Sequence, residues 1–207
     1  MKKVAVIDYG LGNITSIMNS LNYLQASSFL TKDYDEIMMA DALILPGVGA
    51  FKVGMANLEK FGLVQVIKDF VQTGKPFLGI CLGMQMLFDE SYEFGVTKGL
   101  GLIQGQVKEL PVNDNSKLPH ISWNEISESD LCLWKNTILD TGYKKDVYFV
   151  HSFVGIPLNE RAILATSRYG DTLFCAAVKF NNVYGTQFHP EKSGKYGLDI
   201  LNRFINS

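Results

Sequence analysis

A cysteine able to act as a nucleophile stands in Gly79-Ile80-Cys81-Leu82-Gly83, where an apolar run from Lys75 to Asp89 changes character. The segment reads as a strand, a sharp turn and a helix, because the residues after Gly83 resume apolar positions at helical spacing. A side chain at such a turn projects from the carboxyl edge of a sheet. Small residues two before and two after it let the backbone take the strained conformation that this requires. A helix starting directly after Cys81 would aim its N-terminal N–H groups and positive dipole end at the sulfur, which favours the reactive thiolate. The Leu82 N–H is then placed to hold an oxyanion. The pentapeptide by itself also fits a cysteine that only packs, since free cysteine behaves as a small hydrophobe.

A thiol nucleophile needs a base, and Asn182-Val-Tyr-Gly-Thr-Gln-Phe-His-Pro-Glu191 offers one. Val183 to Phe188 reads as a strand with His189 at its end. Pro190 biases His189 toward an extended backbone, so the imidazole leaves the strand terminus instead of entering a helix. Glu191, two residues on, can accept from the other ring nitrogen, fixing the tautomer and stabilising the imidazolium. Taken singly, His189 fits a satisfied strand-end histidine and Glu191 a solvated carboxylate beside Lys192. Together with a cysteine at a sharp turn they make a Cys81–His189–Glu191 triad.

These side chains need a sheet behind them, and the N-terminal half supplies β-α units. Val4-Ala-Val-Ile7 predicts a central strand buried on both faces. After it come the glycine-rich loop Tyr9–Asn13 and a helix over 16–24, with apolar residues at 17, 18, 21 and 24. The loop is neither a P-loop nor a dinucleotide fingerprint, so nucleotide binding is not expected. Ser28–Thr31 and Asp41–Leu45 read as further strands, the second ended by Pro46-Gly-Val-Gly49. That ending by itself is an ordinary strand-to-helix turn. Met55 to Val71 carries an amphipathic pattern in two helical pieces broken at Gly62, the second capped by Gly74. Gln85, on the first turn after Cys81, is near enough to it to bind a substrate amide or α-carboxylate.

From Leu100 onward short alternating segments predict antiparallel strands and hairpins, among them 105–110, 146–150 and 173–180. Lys117–Asn124 reads as a loop whose Trp123 either meets a partner or packs half-buried. Thr166–Gly170 reads as a turn, Asn181-Asn182 as the reversal before the strand that delivers His189, and 196–205 as a closing helix.

Composition narrows the class. The 207 residues fit a single α/β domain spanning 1–207, with no boundary evident. A net charge of −2 with scattered lysines gives no electrostatic support for nucleic acid. The start of the chain turns polar too soon for a signal peptide or a membrane span, so the cytoplasm is expected and no membrane partner is. Cys81, Cys132 and Cys175 fit neither a disulfide framework nor a paired metal motif, and the latter two are expected to pack.

Gly-Ile-Cys-Leu-Gly-Met-Gln with a distant Gln-Phe-His-Pro-Glu resembles the class I (triad-type) glutamine amidotransferases. Tyr9–Asn13, Leu45–Phe51, Pro119-His120, Trp123-Asn124, Tyr148–Ser152 and His189–Gly194 narrow the resemblance to the glutaminase subunits of imidazole glycerol phosphate synthase, over Val4 to Phe204. It implies a flavodoxin-like fold with a mixed, mostly parallel central sheet flanked by helices and antiparallel hairpins in the C-terminal half. The implied substrate is L-glutamine, and the implied partner a (β/α)8-barrel cyclase in a heterodimer, with no metal or organic cofactor. The resemblance further implies an oxyanion N–H near Gly49, a substrate contact at Gln85 and a carboxylate for the substrate α-amino group at Glu93. It turns the Tyr9–Asn13 loop toward the partner.

Ser122 stands where the family usually has glycine, and Phe153-Val154 where a polar or tyrosine-type residue is common. These departures leave room for a paralogue that supplies ammonia to an amidino-sugar pathway. Rivals of other classes are a cysteine peptidase or chaperone-like member of the fold, with no use for Gln85 or Glu93, and a regulatory module with a vestigial triad.

Overall fold

The computed structural model describes residues 2–113, 117–129, 131, 134–142 and 146–207. Four β-α steps, the third with two helices, build its first half: β1 (Lys3–Ile7), α1 (Ile14–Tyr23), β2 (Ser27–Thr31), α2 (Tyr34–Met39), β3 (Ala42–Leu45), α3 (Phe51–Lys60), α4 (Leu63–Gln72), β4 (Phe77–Ile80) and α5 (Leu82–Gln85). The second half is mostly strand: β5 (Phe88–Ser91), β6 (Thr97–Lys98), β7 (Ile103–Glu109), β8 (His120–Glu128), β9 (Asp146–His151), β10 (Phe153–Pro157), β11 (Ile163–Tyr169), β12 (Thr172–Phe180) and β13 (Val183–Thr186), closed by α6 (Gly194–Asn206).

The main sheet has the order β2-β1-β3-β4-β13-β12-β11-β8-β9. Its pairings are parallel from β2 to β13 and antiparallel from β13 to β9. A second sheet, β10-β7-β5-β6, lies beside it.

Period-two alternation sends successive residues of β1 to opposite sides, which is why its run is apolar throughout. Val4 and Val6 join a core with Ile17 and Leu21 of α1 and Ile200, Leu201 and Phe204 of α6. Ala5 and Ile7 join the opposite core with Met55, Leu58, Ile67 and Phe70 of α3 and α4. Full burial of each such Leu, Ile or Phe side chain contributes about 1.5–3 kcal/mol relative to exposure. Among the described residues no helix is long and apolar enough to cross a membrane.

Three sequence expectations change. The helix after Cys81 is a single turn of four residues. The chain then leaves for the second sheet, with Leu100 N–H donating to Met86 O and Leu102 N–H to Leu87 O. Apolar spacing in Met84–Phe88 served this packing and not a long helix, so little macrodipole reaches the sulfur. What remains there is the set of first-turn N–H groups that have no intrahelical acceptor.

The segment 117–124 is a loop only as far as Pro119. His120–Glu128 is a strand, paired with β9 from His120 opposite His151 to Glu125 opposite Asp146 and with β11 over Ile126–Glu128. Thr166–Tyr169 likewise belongs to β11, and the chain reverses after it at Gly170-Asp171. The Asn181-Asn182 reversal is where the sequence places it, with Asn181 at φ +52°.

Candidate active site

Cys81 and His189 leave neighbouring parallel strands at the same edge of the sheet. Ile80 of β4 stands opposite Thr186 of β13, and the Cys81 N–H donates to Thr186 O at 2.7 Å. Both residues therefore emerge at the carboxyl ends of the parallel strands, where ligands bind in open α/β sheets. Cys81 itself is strained, at φ +54° and ψ −110°, a region costly for a residue with a Cβ.

The close approach at Gly83 holds the turn in that conformation. A Cβ on Gly83 would lie 2.0 Å from Leu45 O, and one on Gly79 would lie 2.6 Å from Gly83 O. No side chain fits at either position, so the glycines two before and two after Cys81 are needed to let the turn close against β3.

His189 is held by its own backbone and by its neighbour. Its N–H donates to Tyr148 O at 3.0 Å, and the Pro190–Lys192 3-10 turn brings Glu191 back so that Nδ1 lies 2.8 Å from Glu191 Oε1. The two side chains are 1% and 0% exposed. Nε2 makes no well-formed hydrogen bond, yet Cys81 lies near enough to act on the ring. Burial is the largest single influence and would lower the imidazole pKa. Hydrogen bonding and charge from Cys81 and Glu191 together outweigh it and push the pKa up to about 10.

A histidine raised from 6.5 to about 10 on folding stabilises the fold fully below 6.5, and that contribution is lost as pH rises through about 10. Thermal unfolding should therefore show a loss on the order of a few kcal/mol across this window that His189→Gln lacks. Identical pH profiles for the two proteins would contradict it.

A cavity of about 370 Å³ opens in front of the sulfur, lined by Gly49, Cys81, Leu82, Gln85, Glu93 and His151 among others. All the site residues read from the sequence except His189 and Glu191 border it. Gly49, at φ +108°, follows a loop packed directly on the cysteine turn: a Cβ on Gly47 would lie 2.6 Å from Gly83 N. Tyr9 Oη donates to Pro46 O at 2.7 Å in the same loop, and burial raises the Tyr9 pKa, with a smaller contribution from Cys81.

Glu93 Oε2 accepts from the Phe51 N–H at 2.6 Å, at the start of α3. Gln85 Nε2 donates to Phe153 O at 2.9 Å and to Gln187 Oε1 at 3.1 Å. Both residues expected to meet substrate are thus already anchored to the protein. Among the described residues, no group of His, Cys, Asp and Glu could hold a metal ion.

His151 is a cavity residue to which sequence reasoning gave no role. Its Nδ1 donates to Phe153 O at 3.0 Å and its Nε2 meets His120 Nδ1 at 3.1 Å. Desolvation, with the neighbouring His120, lowers its pKa to about 3, and desolvation lowers that of His120 as well. Burial thus disfavours a charge on either ring. At Nε2, His120 meets the Ser122 hydroxyl at 2.7 Å and Asn124 Oδ1 at 2.8 Å. Ser122, a departure from the family pattern, serves this buried pair, while Trp123 on the opposite face of β8 is 52% exposed.

Cys175 packs as expected. It is buried, and burial pushes its thiol up to about 12. Cys132 lies outside the described residues.

The family model described as glutamine amidotransferase class-I matches residues 5–207. The HisH 1 subunit of imidazole glycerol phosphate synthase from Legionella pneumophila (strain Lens) is 46% identical over 99% of both chains. The HisH subunit from Lactococcus lactis is 42% identical over 99% of this chain and 98% of that one. Among solved structures, PurLQS from Thermotoga maritima superposes with a TM-score of 0.72 at 20% identity, covering 100% of this chain and 99% of the other, a likeness of fold. Matched by the family model from residue 5 to its end and by such relatives along its length, the chain belongs to the class I glutamine amidotransferases.

Proposed function

We propose that this chain is the glutaminase subunit of an imidazole glycerol phosphate synthase. It hydrolyses L-glutamine and passes the ammonia to a (β/α)8-barrel cyclase partner, as one unit spanning 1–207, in the cytoplasm. The observation that carries the chemistry is Cys81, on a strained backbone turn and bordering a cavity, with a buried His189–Glu191 pair beside it. The acceptor rests on similarity to the HisH subunits along the whole chain.

The reaction runs in two halves. The Cys81 thiolate attacks the side-chain amide carbon of glutamine, and the Leu82 and Gly49 N–H groups hold the developing oxyanion, each such donor contributing about 3–4 kcal/mol when aligned. His189, protonated and paired with Glu191, gives its proton to the departing nitrogen, so that ammonia leaves and a glutamyl thioester remains. His189 then takes a proton from water as the water attacks the thioester. Collapse releases glutamate and restores the thiolate, for a balance of glutamine and water in, glutamate and ammonia out. Gln85 and Glu93 border the cavity and would contact the substrate, Glu93 at its α-amino group. No step calls for a metal or an organic cofactor.

Ammonia release by the purified chain should be slow alone and rise about 100-fold with the cyclase subunit from the same genome, the upper end of ordinary coupling between sites. The peptide at Gly49, where an added Cβ would meet nothing within 4 Å, can rotate at low steric cost to complete the oxyanion site when the partner binds. Deletion of the gene should leave the strain dependent on added histidine. Full turnover without a partner would remove the coupling. Growth without histidine, with loss of a surface sugar, would reassign the acceptor to an amidino-sugar pathway and leave the glutaminase standing.

A further inference from the structure

We infer that Gln187 is a positioning residue for Cys81: its side-chain amide is locked with the NH2 toward the sulfur, donating to Sγ and favouring the thiolate. The inference deepens the reading of Cys81 as nucleophile and rests on it. Gln187 follows β13, is fully buried, and is fixed by its own N–H donating to Ala176 O at 2.8 Å. Its Nε2 lies 3.8 Å from Cys81 Sγ, within the longer reach of hydrogen bonds to sulfur.

The orientation of this amide is forced by its neighbours. Phe153 O is a backbone carbonyl and can only accept, so the group of Gln85 that faces it at 2.9 Å must be the NH2. The second hydrogen of that NH2 points to the Gln187 atom 3.1 Å away, which must then be the oxygen. The remaining end of Gln187, its NH2, is left for the sulfur. Amide dipoles thus run in one direction from Phe153 O through Gln85 and Gln187 to Cys81, with a hydrogen-bond donor at the sulfur end.

A donor stabilises a thiolate more than a neutral thiol, because hydrogen bonds to ionised partners are roughly twice as strong. The thiol has an alternative use for its own proton in Val150 O, 3.8 Å away. The other ionisable groups around the sulfur are His189 with Glu191, the Tyr9 hydroxyl, and His151 and Glu93 on the cavity wall. Gln187 does not border the cavity, so its influence should fall on kcat and on thiol reactivity, not on KM.

The test is alkylation of Cys81 by iodoacetamide in the resting chain, followed by mass spectrometry across pH. Gln187→Met keeps the side-chain length and removes the donor. It should slow alkylation at neutral pH about tenfold and move the profile to higher pH, with KM for glutamine unchanged. Gln85→Met frees the Gln187 amide to turn and should slow alkylation in the same direction but less, about threefold.

Should neither variant fold, the side-chain amide resonance of Gln187 in the wild-type chain decides. It should titrate with the thiol and lose that titration in Cys81→Ala. Wild-type alkylation profiles in both variants, or an amide resonance indifferent to Cys81, would overturn the inference. A wild-type thiol that does not alkylate at any pH would instead sink the nucleophile reading itself.

Discussion

Cys81→Ala is expected to lower glutamine hydrolysis by about 10⁴–10⁶-fold, the scale seen when a covalent nucleophile is removed from an otherwise intact site. The substitution deletes one sulfur atom at a turn whose shape is set by backbone contacts, among them the 2.7 Å bond from the Cys81 N–H to Thr186 O. Thermal unfolding should therefore stay close to wild type. Steady-state ammonia release in the presence of the cyclase partner is the measurement. Activity within tenfold of wild type, from a folded Cys81→Ala chain, would exclude thioester chemistry.

His189→Ala should be nearly as damaging, at about 10³–10⁵-fold, because it removes both the proton donor for ammonia and the positive charge beside the thiolate. It carries a second cost. Glu191, whose side chain is fully buried, loses the partner at 2.8 Å, and an unpaired buried carboxylate costs at least about 1–3 kcal/mol. A fall in melting temperature should thus accompany the fall in kcat. Glu191→Gln should do less harm, since the amide oxygen still accepts from Nδ1 but no longer balances an imidazolium. Equal activity of these variants and wild type would break the triad.

Much of this site is readable from the chain because its chemistry is local. The glycines around Cys81 and the proline after His189 fix backbone shape within a few residues, and those shapes alone bring both side chains to the edge of the sheet. Gln187 and His151 are different. Their positions depend on which strands pair and in what register, and neither carries a turn residue that would mark it.

The misread strand at His120–Glu128 has a physical cause as well. Alternation there is inverted: His120, Ser122 and Asn124 face one another in a hydrogen-bonded cluster, while Ile121 and Trp123 face solvent. A polar face turned inward looks like a loop when apolar residues are assumed to point to the core. The helix expected after Cys81 ends after one turn for a different reason, since a short apolar run cannot distinguish a buried helix from a chain passing between two sheets. The α2 helix has only six residues, with the Asp33 side chain accepting from Glu36 N at its start, too short for a period to emerge.

The central claim is that one thiol of this chain does the chemistry, and stoichiometric labelling tests it most directly. A glutamine analogue bearing an electrophile at the amide position, incubated with the chain and its cyclase partner, should add one equivalent at Cys81, as located by peptide mass spectrometry. Cys175 should stay unmodified, its thiol buried and held protonated with a pKa near 12. Labelling at Cys175 or Cys132 in place of Cys81, or no labelling while glutamine is turned over, would contradict the account.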